Sequence, residues 1–204
     1  MNYKICFLFV LILGSVFVTA CKEEDDAPAQ SNTIIYKLDG RSVKLGDQLP
    51  IAVDLSEDGQ VDFAIFVELT ANSQGDRLYA GVNPIGENLI KSGPAIDTNF
   101  LNMGLLIAEL EGERIDFNLN SNQRWTSDHS ALVIRNTLNN GETSYEGNWA
   151  NSKQIVGIQN RINEAVYFGW LRIEFDKQTE IVTLIDYAYN HIKNESIFAG
   201  AKSN

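Results

Sequence analysis

The chain has only two cysteines, Cys6 and Cys21, and only two histidines, His129 and His191. Cys6 lies in an apolar N-terminal run, so the rest of the chain has no disulfide framework and no thiolate metal site. Positive charge is also scarce: 16 Lys and Arg stand against 27 Asp and Glu, and the net charge is −11. This balance argues against nucleic-acid binding and against adhesion to anionic lipid through basic residues.

The first 20 residues are typical of a secretory signal peptide. Lys4 precedes an apolar run over residues 5–20, and small residues come before Cys21. A membrane span needs about 20 apolar residues, whereas this run is shorter and stops at the charged residues 22–24. The sequence therefore predicts a signal peptide at residues 1–20 rather than a transmembrane helix.

The residues around Cys21 indicate a lipid anchor. Val18-Thr19-Ala20-Cys21 resembles the lipobox of bacterial lipoproteins. The resemblance implies cleavage before Cys21 and acylation of that cysteine, and two or more acyl chains give stable membrane anchoring. The next five residues, Lys-Glu-Glu-Asp-Asp, resemble the export signal of surface-exposed lipoproteins in some Gram-negative bacteria; the alternative is a solvated acidic linker. We therefore expect residues 21–32 to form a tether on the outer membrane, facing outward.

The remainder, residues 33–204, reads as one all-β domain. Short β-branched and aromatic runs alternate with turn signals, which predicts a single antiparallel β-sandwich, with a jelly-roll arrangement as a variant. The predicted strands are residues 33–38, 41–45, 61–69, 76–82, 87–91, 105–109, 114–119, 132–138, 154–159, 165–175 and 180–189. Asp39-Gly40 and the turn at residues 139–141 predict hairpins, and Gly93-Pro94 predicts a break. The segment 100–110 is the best helical candidate, although it also suits a strand.

One loop has the composition of a calcium site. Residues 54–62 place oxygen ligands at positions 1, 3, 5 and 9 and Gly59 at position 6, where a sharp turn is needed. An EF-hand would require Glu at position 12, which is Ile65 here. The loop resembles instead the D-x-D-x-D-G-x-x-D hairpin loops of the integrin-type repeat. That resemblance implies a structural Ca²⁺ site whose ligands are Asp54, Ser56, Asp58, the Gln60 carbonyl and Asp62. The alternative is an Asp-Gly turn whose carboxylates accept backbone N–H groups.

The sequence offers no recognisable catalytic constellation. Asp128-His129-Ser130 contains the residue types of a triad, but adjacent residues cannot converge as nucleophile, base and orienting acid. Glycoside hydrolysis needs two facing carboxylates about 5–10 Å apart, and the chain is too rich in acids for the sequence to single out a pair. The candidates are Glu109, Glu111, Glu113, Asp116, Glu174, Asp176, Glu180 and Asp186.

Two tryptophans are candidates for stacking against sugar rings. Trp125 and Trp149 lie in polar, loop-like surroundings, whereas Trp170 lies in a dense strand pattern typical of a core. Burial is nevertheless the favoured expectation for both residues, because large aromatic side chains are highly buried on average.

The C-terminal half resembles a recurring module of secreted bacterial proteins. The resemblance rests on Phe168-Gly169-Trp170, on Asp186-Tyr187-Ala188-Tyr189 and on Ile197-Phe198-Ala199-Gly200. It implies a β-sandwich in an extracytoplasmic setting and supplies no catalytic residue. Together these features predict a surface-exposed, non-catalytic binding or interaction module. The alternatives are an accessory polysaccharide-binding lipoprotein and a glycoside hydrolase with an acidic pair.

Overall fold

The fold was analysed in a computed structural model, which describes residues 33–96, 103–147, 149 and 152–202. These residues form sixteen strands. The strands are β1 (Ile34–Leu38), β2 (Ser42–Val43), β3 (Ile51–Val53), β4 (Phe63–Asn72), β5 (Gly75–Pro84), β6 (Leu89–Ile96), β7 (Met103–Leu106), β8 (Ala108–Glu109), β9 (Arg114–Ile115), β10 (Arg124–Thr126), β11 (Ser130–Leu138), β12 (Thr143–Glu146), β13 (Ser152–Ile162), β14 (Ala165–Asp176), β15 (Ile181–Asn190) and β16 (Ile197–Phe198).

The strands fold into a β-sandwich, which confirms the predicted fold class. The main path of hydrogen-bonded neighbours is β1-β15-β14-β13-β6-β7-β11-β5-β4-β3, and β9 pairs separately with β16. The pairs are antiparallel except for β7 and β11, which run parallel. Strands β13–β15 face strands β3–β5 and β11 across one central core. It contains Val53, Phe63, Ile65, Leu78, Leu132, Val156, Ile158, Leu171, Ile173 and Leu184.

Both outer faces of the sandwich are covered in places, which explains why several strands are apolar on both sides. On the outer face of β13–β15, Phe168 and Trp170 pack with Ile115, Ile197 and other residues into a second core, named here the C-terminal core. On the opposite side, a smaller cluster forms around Phe66, Tyr79, Met103, Ala131 and Ile134.

The predicted hairpin at Asp39-Gly40 is wrong. Strands β1 and β2 both pair with β15 and run in the same direction along it. The chain passes through a bulge between them, where the N–H groups of Asp39 and Gly40 donate to Ile185 and Leu184 carbonyls. Gly40 supplies the left-handed backbone, at φ 97°. An Asp-Gly pair fits a bulge of an edge strand as well as it fits a turn, so these two residues alone do not distinguish a hairpin from a bulge.

The predicted break at Gly93-Pro94 is also wrong, because β6 runs through both residues. The register of β6 against β7 shifts between Ser92 and Ala95, which accommodates the missing N–H of Pro94. The hairpin turn at residues 139–141 is confirmed: the Gly141 N–H donates to the Leu138 carbonyl over 2.8 Å.

The described residues include no helix that is long and apolar enough to cross a membrane. The predicted signal peptide, lipidated Cys21 and acidic tether lie outside the described residues.

Candidate functional site

Three loops meet at one end of the sandwich around an open cavity of about 480 Å³, named here the loop-end pocket. The loops connect β3 to β4 (residues 54–62), β5 to β6 (residues 85–88) and β13 to β14 (residues 163–164). The lining residues are Asp58, Gln60, Val61, Asp62, Ile85, Gly86, Glu87, Asn88, Arg161, Ile162, Asn163 and Glu164. The volume lies within the range of small-molecule sites.

The buried side chain of Asn88 ties its own loop to the β3–β4 loop and to the end of β13. Its amide nitrogen donates to the backbone oxygen of Asp62 over 3.2 Å and to the Asp62 carboxylate over 3.1 Å. Its amide oxygen accepts the N–H of Arg161 over 2.7 Å. Asn88 is 5% exposed, so water competes little for the bonds with which it holds these segments together.

The carboxylates of the β3–β4 loop organise the loop backbone. Asp54 accepts the N–H groups of Asp58 and Gly59, over 3.3 and 2.8 Å. Asp58 accepts the N–H of Gln60 over 2.8 Å. Asp62 is buried, and its carboxylate accepts the Leu55 N–H over 2.8 Å. These contacts are those of the alternative interpretation, an Asp-Gly turn stabilised by its own acids.

The same loop fits a calcium ion only in part. Each oxygen of a carboxylate has two lone pairs, so Asp54 and Asp58 can accept an N–H and still coordinate a cation. The Ser56 hydroxyl is buried and has no hydrogen-bond partner among the described residues, so its oxygen is available as a ligand. Asp62, however, is engaged by Leu55 and Asn88. In the described part of the chain, no three Asp, Glu, His or Cys side chains form a group arranged to hold a metal.

Burial and neighbouring charge act together on Asp62. Burial raises the pKa of its carboxyl, and the negative charges of Asp54 and Asp58 raise it further, while the bonds from Leu55 and Asn88 oppose this. The exposed side of the pocket carries three acids, Asp58, Glu87 and Glu164, against one cation, Arg161. The loop-end pocket is therefore a negatively charged site that favours cations or hydroxyl-bearing ligands.

The β13–β14 turn has an unusual backbone. Asn163 and Glu164 both have positive φ, at 48° and 67°, as a two-residue type I′ hairpin turn requires. Asparagine adopts this conformation readily, but glutamate seldom does. The turn places the Glu164 side chain at the pocket at some conformational cost, and such costs are concentrated at functional sites.

A second cavity, of about 600 Å³, is lined by Asn83, Ala95, Met103, Arg124, Ser127, Asp128 and His129. His129 is exposed and packs on the ring of Phe66, with 5.8 Å between ring centres. The Ser130 hydroxyl donates to the backbone oxygen of Asp128 over 3.4 Å. Asp128, His129 and Ser130 therefore do not form a relay of hydrogen bonds from serine to histidine to aspartate.

The two candidate tryptophans lie against the protein interior. Trp149 is 1% exposed and belongs to the central core, so its ring has no free face for a sugar. Trp125 is half-buried against the C-terminal core, where its ring lies 6.1 Å from that of Phe168. Burial was the favoured expectation for both.

Two acids from the candidate list are buried with cationic partners. Asp186 is 3% exposed, and its carboxylate lies 3.1 Å from Arg172 Nε and 3.3 Å from Lys202 Nζ. Tyr36 donates its hydroxyl to the same carboxylate over 3.0 Å. Glu109 is 5% exposed and lies 2.8 Å from Lys91 Nζ. Both acids are thus held in ion pairs beneath the surface.

No family model, curated protein or solved structure matches this chain.

The amino-acid sequence indicated one of the three loops of the loop-end pocket, the β3–β4 loop, but not the other two. The spacing of Asp54, Asp58 and Asp62 identified the β3–β4 loop. Nothing local in residues 85–88 or 163–164 indicated that they would meet it, because their proximity depends on strand pairing. The only available signal was Asn163, a residue that tolerates left-handed turns.

Proposed function

We propose that this chain is a surface-exposed bacterial lipoprotein, anchored through Cys21, that acts as a non-catalytic binding module with its ligand in the loop-end pocket. The observation that carries this proposal is the cavity built from three loops, where Asn88 joins the β5–β6 loop to the β3–β4 loop and to the end of β13. Loops held by a rigid scaffold are a common place for binding residues.

Calcium is part of this proposal. Asp54, Ser56, Asp58 and the Gln60 carbonyl would hold the ion, and it would stiffen the β3–β4 loop and neutralise part of the pocket's charge. Asp62 supports that loop from below through Leu55 and Asn88. Because calcium takes six to eight oxygen ligands, water or ligand oxygens would complete the coordination.

Polysaccharide is the ligand class that suits the pocket best. Carboxylates such as Glu87 and Glu164 accept hydrogen bonds from hydroxyl groups, and amides such as Asn163 both donate and accept. The pocket is lined by several such groups at once. A sugar-binding role therefore needs no exposed tryptophan.

Binding is tested with the Cys21→Ser chain, which cannot be acylated at that position, on a panel of polysaccharides in calcium and in EGTA. The double variant Glu87→Gln/Glu164→Gln removes two pocket charges. Glu142→Gln is the matched control, because Glu142 is exposed in the hairpin at the opposite end. Loss of binding in the pocket variant alone supports the proposal. Equal loss in both variants contradicts the site, and release of reducing sugar contradicts the non-catalytic role.

Location is tested separately on intact cells. The proposal predicts that an external protease degrades the wild-type chain while periplasmic proteins survive. It also predicts that Cys21→Ser leaves the membrane fraction. Protection of the wild-type chain in intact cells would place it on the inner face of the outer membrane.

A further inference from the structure

Lys91 and Glu109 form an ion pair inside the C-terminal side of the sandwich. Lys91 lies on β6, Glu109 lies on β8, and the distance from Nζ to Oε1 is 2.8 Å. Their side chains are 5% and 0% exposed. Pairing of β8 with β13 and of β10 with β6 holds the two strands in place, so the two reactive groups are positioned by backbone and not by flexible loops.

Apart from Lys91 and Glu113, the groups packed near Glu109 Oε1 are apolar. A Cβ atom added to Gly157 would lie 3.1 Å from Glu109 Oε1, 3.2 Å from Ile115 Cγ2 and 3.3 Å from Trp125 Cη2. The carboxylate is therefore packed between a glycine backbone, an isoleucine and an indole ring. Lys91 Nζ lies within hydrogen-bond distance of Glu109 Oε1, at 2.8 Å, and Glu113 is a second polar side chain that interacts with the Glu109 carboxyl.

A buried ion pair of this kind contributes little net stability to a core. Removing two charges from water is unfavourable, and the attraction between them offsets this only when further hydrogen bonds complete the network. Burial raises the pKa of the Glu109 carboxyl, and although Lys91 lowers it in part, the nearby Glu113 raises it again. The net effect is a Glu109 pKa above its ordinary value, which makes protonation of this acid easier.

We propose that Lys91 and Glu109 join covalently, through an amide bond between Lys91 Nζ and the side-chain carbonyl carbon of Glu109. A proton passes from the Lys91 ammonium to the Glu109 carboxylate, which leaves a neutral amine and a neutral acid. The amine lone pair attacks the carboxyl carbon and forms a tetrahedral intermediate. One carboxyl oxygen then departs with two protons as water. The products are one amide and one water molecule, and the reaction needs no oxidant, reductant or cofactor.

Glu113 is placed to carry the proton in this reaction. Its carboxylate accepts the Leu110 N–H over 3.0 Å, which fixes it on the turn directly after β8. Glu113 also interacts with the Glu109 carboxyl. It can take the proton that the attacking nitrogen loses and return it to the departing oxygen, as a general base and then a general acid.

The bond would join β6 to β8 and close the chain segment between residues 91 and 109. A covalent link of this kind constrains the unfolded chain as a disulfide does. It would do so without cysteine, in a chain whose only cysteines are Cys6 and Cys21. The inference concerns the scaffold and stands independently of the proposed ligand site.

The test is the mass of the purified wild-type protein after denaturation and trypsin digestion. Trypsin does not cleave after an acylated lysine, so the bond predicts a single peptide, residues 78–114, lighter than its sequence by one water. Fragment spectra should show the branch joining Lys91 to Glu109. Recovery of the separate, unmodified peptides 78–91 and 92–114 in full yield would overturn the proposal.

Two variants identify the chemistry. Lys91→Arg keeps a cation near Glu109 but lacks the amine, so it should give unmodified peptides. Glu113→Gln keeps the pair and should form the bond about 100-fold more slowly, because it removes the proton carrier. Water loss that persists between residues 78 and 114 in Lys91→Arg would overturn the assignment to Lys91. If Lys91→Arg does not fold, the wild-type and Glu113→Gln digests still show whether the Lys91–Glu109 bond forms.

Discussion

Replacing Asp186 with asparagine should lower the free energy of unfolding by about 3 kcal/mol, because it breaks a buried ion pair and leaves Arg172 with only the exposed Glu111, 3.4 Å away, as an acidic partner. The Asp186 side chain is 4% exposed and the Arg172 side chain 13%, whereas Lys202 is 47% exposed. Most of the loss should therefore come from Arg172, since water already solvates much of Lys202. Tyr36 keeps an acceptor, because asparagine retains one side-chain oxygen.

The position of Asp186 makes this a stringent test. A bulge in β15 shifts its register against β14 between Arg172 and Ile173. Before the bulge, Val182 and Leu184 face the central core; after it, Tyr187 does. The bulge therefore turns Asp186 away from that core and toward Arg172. Without the bulge, the strand alternation would bury the carboxylate among aliphatic side chains.

The assay is thermal and urea unfolding of the two chains side by side. For a chain of this size, about 3 kcal/mol corresponds to a Tm lower by roughly 6–12 °C. Asp128→Asn is the control: its carboxylate is 65% exposed, 3.5 Å from Arg124, and such pairs contribute about 0–1 kcal/mol. Combining Asp186→Leu with Arg172→Met should recover most of the loss, since both charges are gone. If Asp186→Asn is as stable as the control, the claim that the buried Asp186–Arg172 pair stabilises the fold is wrong.

Three further predictions concern other parts of the sandwich. Gly157→Ala should lower the free energy of unfolding by about 1–3 kcal/mol by urea titration, because its Cβ would press on Glu109. Burial alone would raise the pKa of Asp39, but hydrogen bonds from Arg41 outweigh this and lower it. The stability that Asp39 contributes is therefore present above its ordinary pKa of 3.8 and is lost as the pH falls through the lowered value. Asp39→Asn should differ from wild type by about 1 kcal/mol at neutral pH and should converge with it in acid melts. Asn88→Ala should cost about 2 kcal/mol in the same titration, because it leaves buried groups unpaired, and it should also weaken ligand binding.

Local sequence patterns predicted the positions of the strands better than they predicted which strands pair. The runs 165–175 and 180–189 are close to the observed β14 and β15, because apolar and β-branched residues there fill two cores at once. The Asp39-Gly40 hairpin failed because pairing with a strand some 150 positions away decides whether that residue pair turns or bulges. Pairing of distant strands is set by the packing of whole faces, which no short window of sequence contains.

The same limit applies to the sites. The spacing of its acids identified the β3–β4 loop in the sequence, because the carboxylates of that loop act within one short stretch of chain. Asn88 was not identified, because its role appears only when the β3–β4 loop and the end of β13 lie beside it. The pairing of Lys91 with Glu109 was equally hidden: the list of acids included Glu109, but its cation comes from another strand.

We propose the loop end of the sandwich as the binding end, and calcium is the smallest ligand expected there. The most direct test is to titrate the isotopically labelled Cys21→Ser chain with Ca²⁺ and follow the backbone amide resonances. Calcium binding at the loop end should give saturable shifts concentrated in residues 54–62, with smaller shifts in residues 85–88 and 163–164. No saturable shift, or shifts centred on the hairpin at residues 139–142, would contradict it.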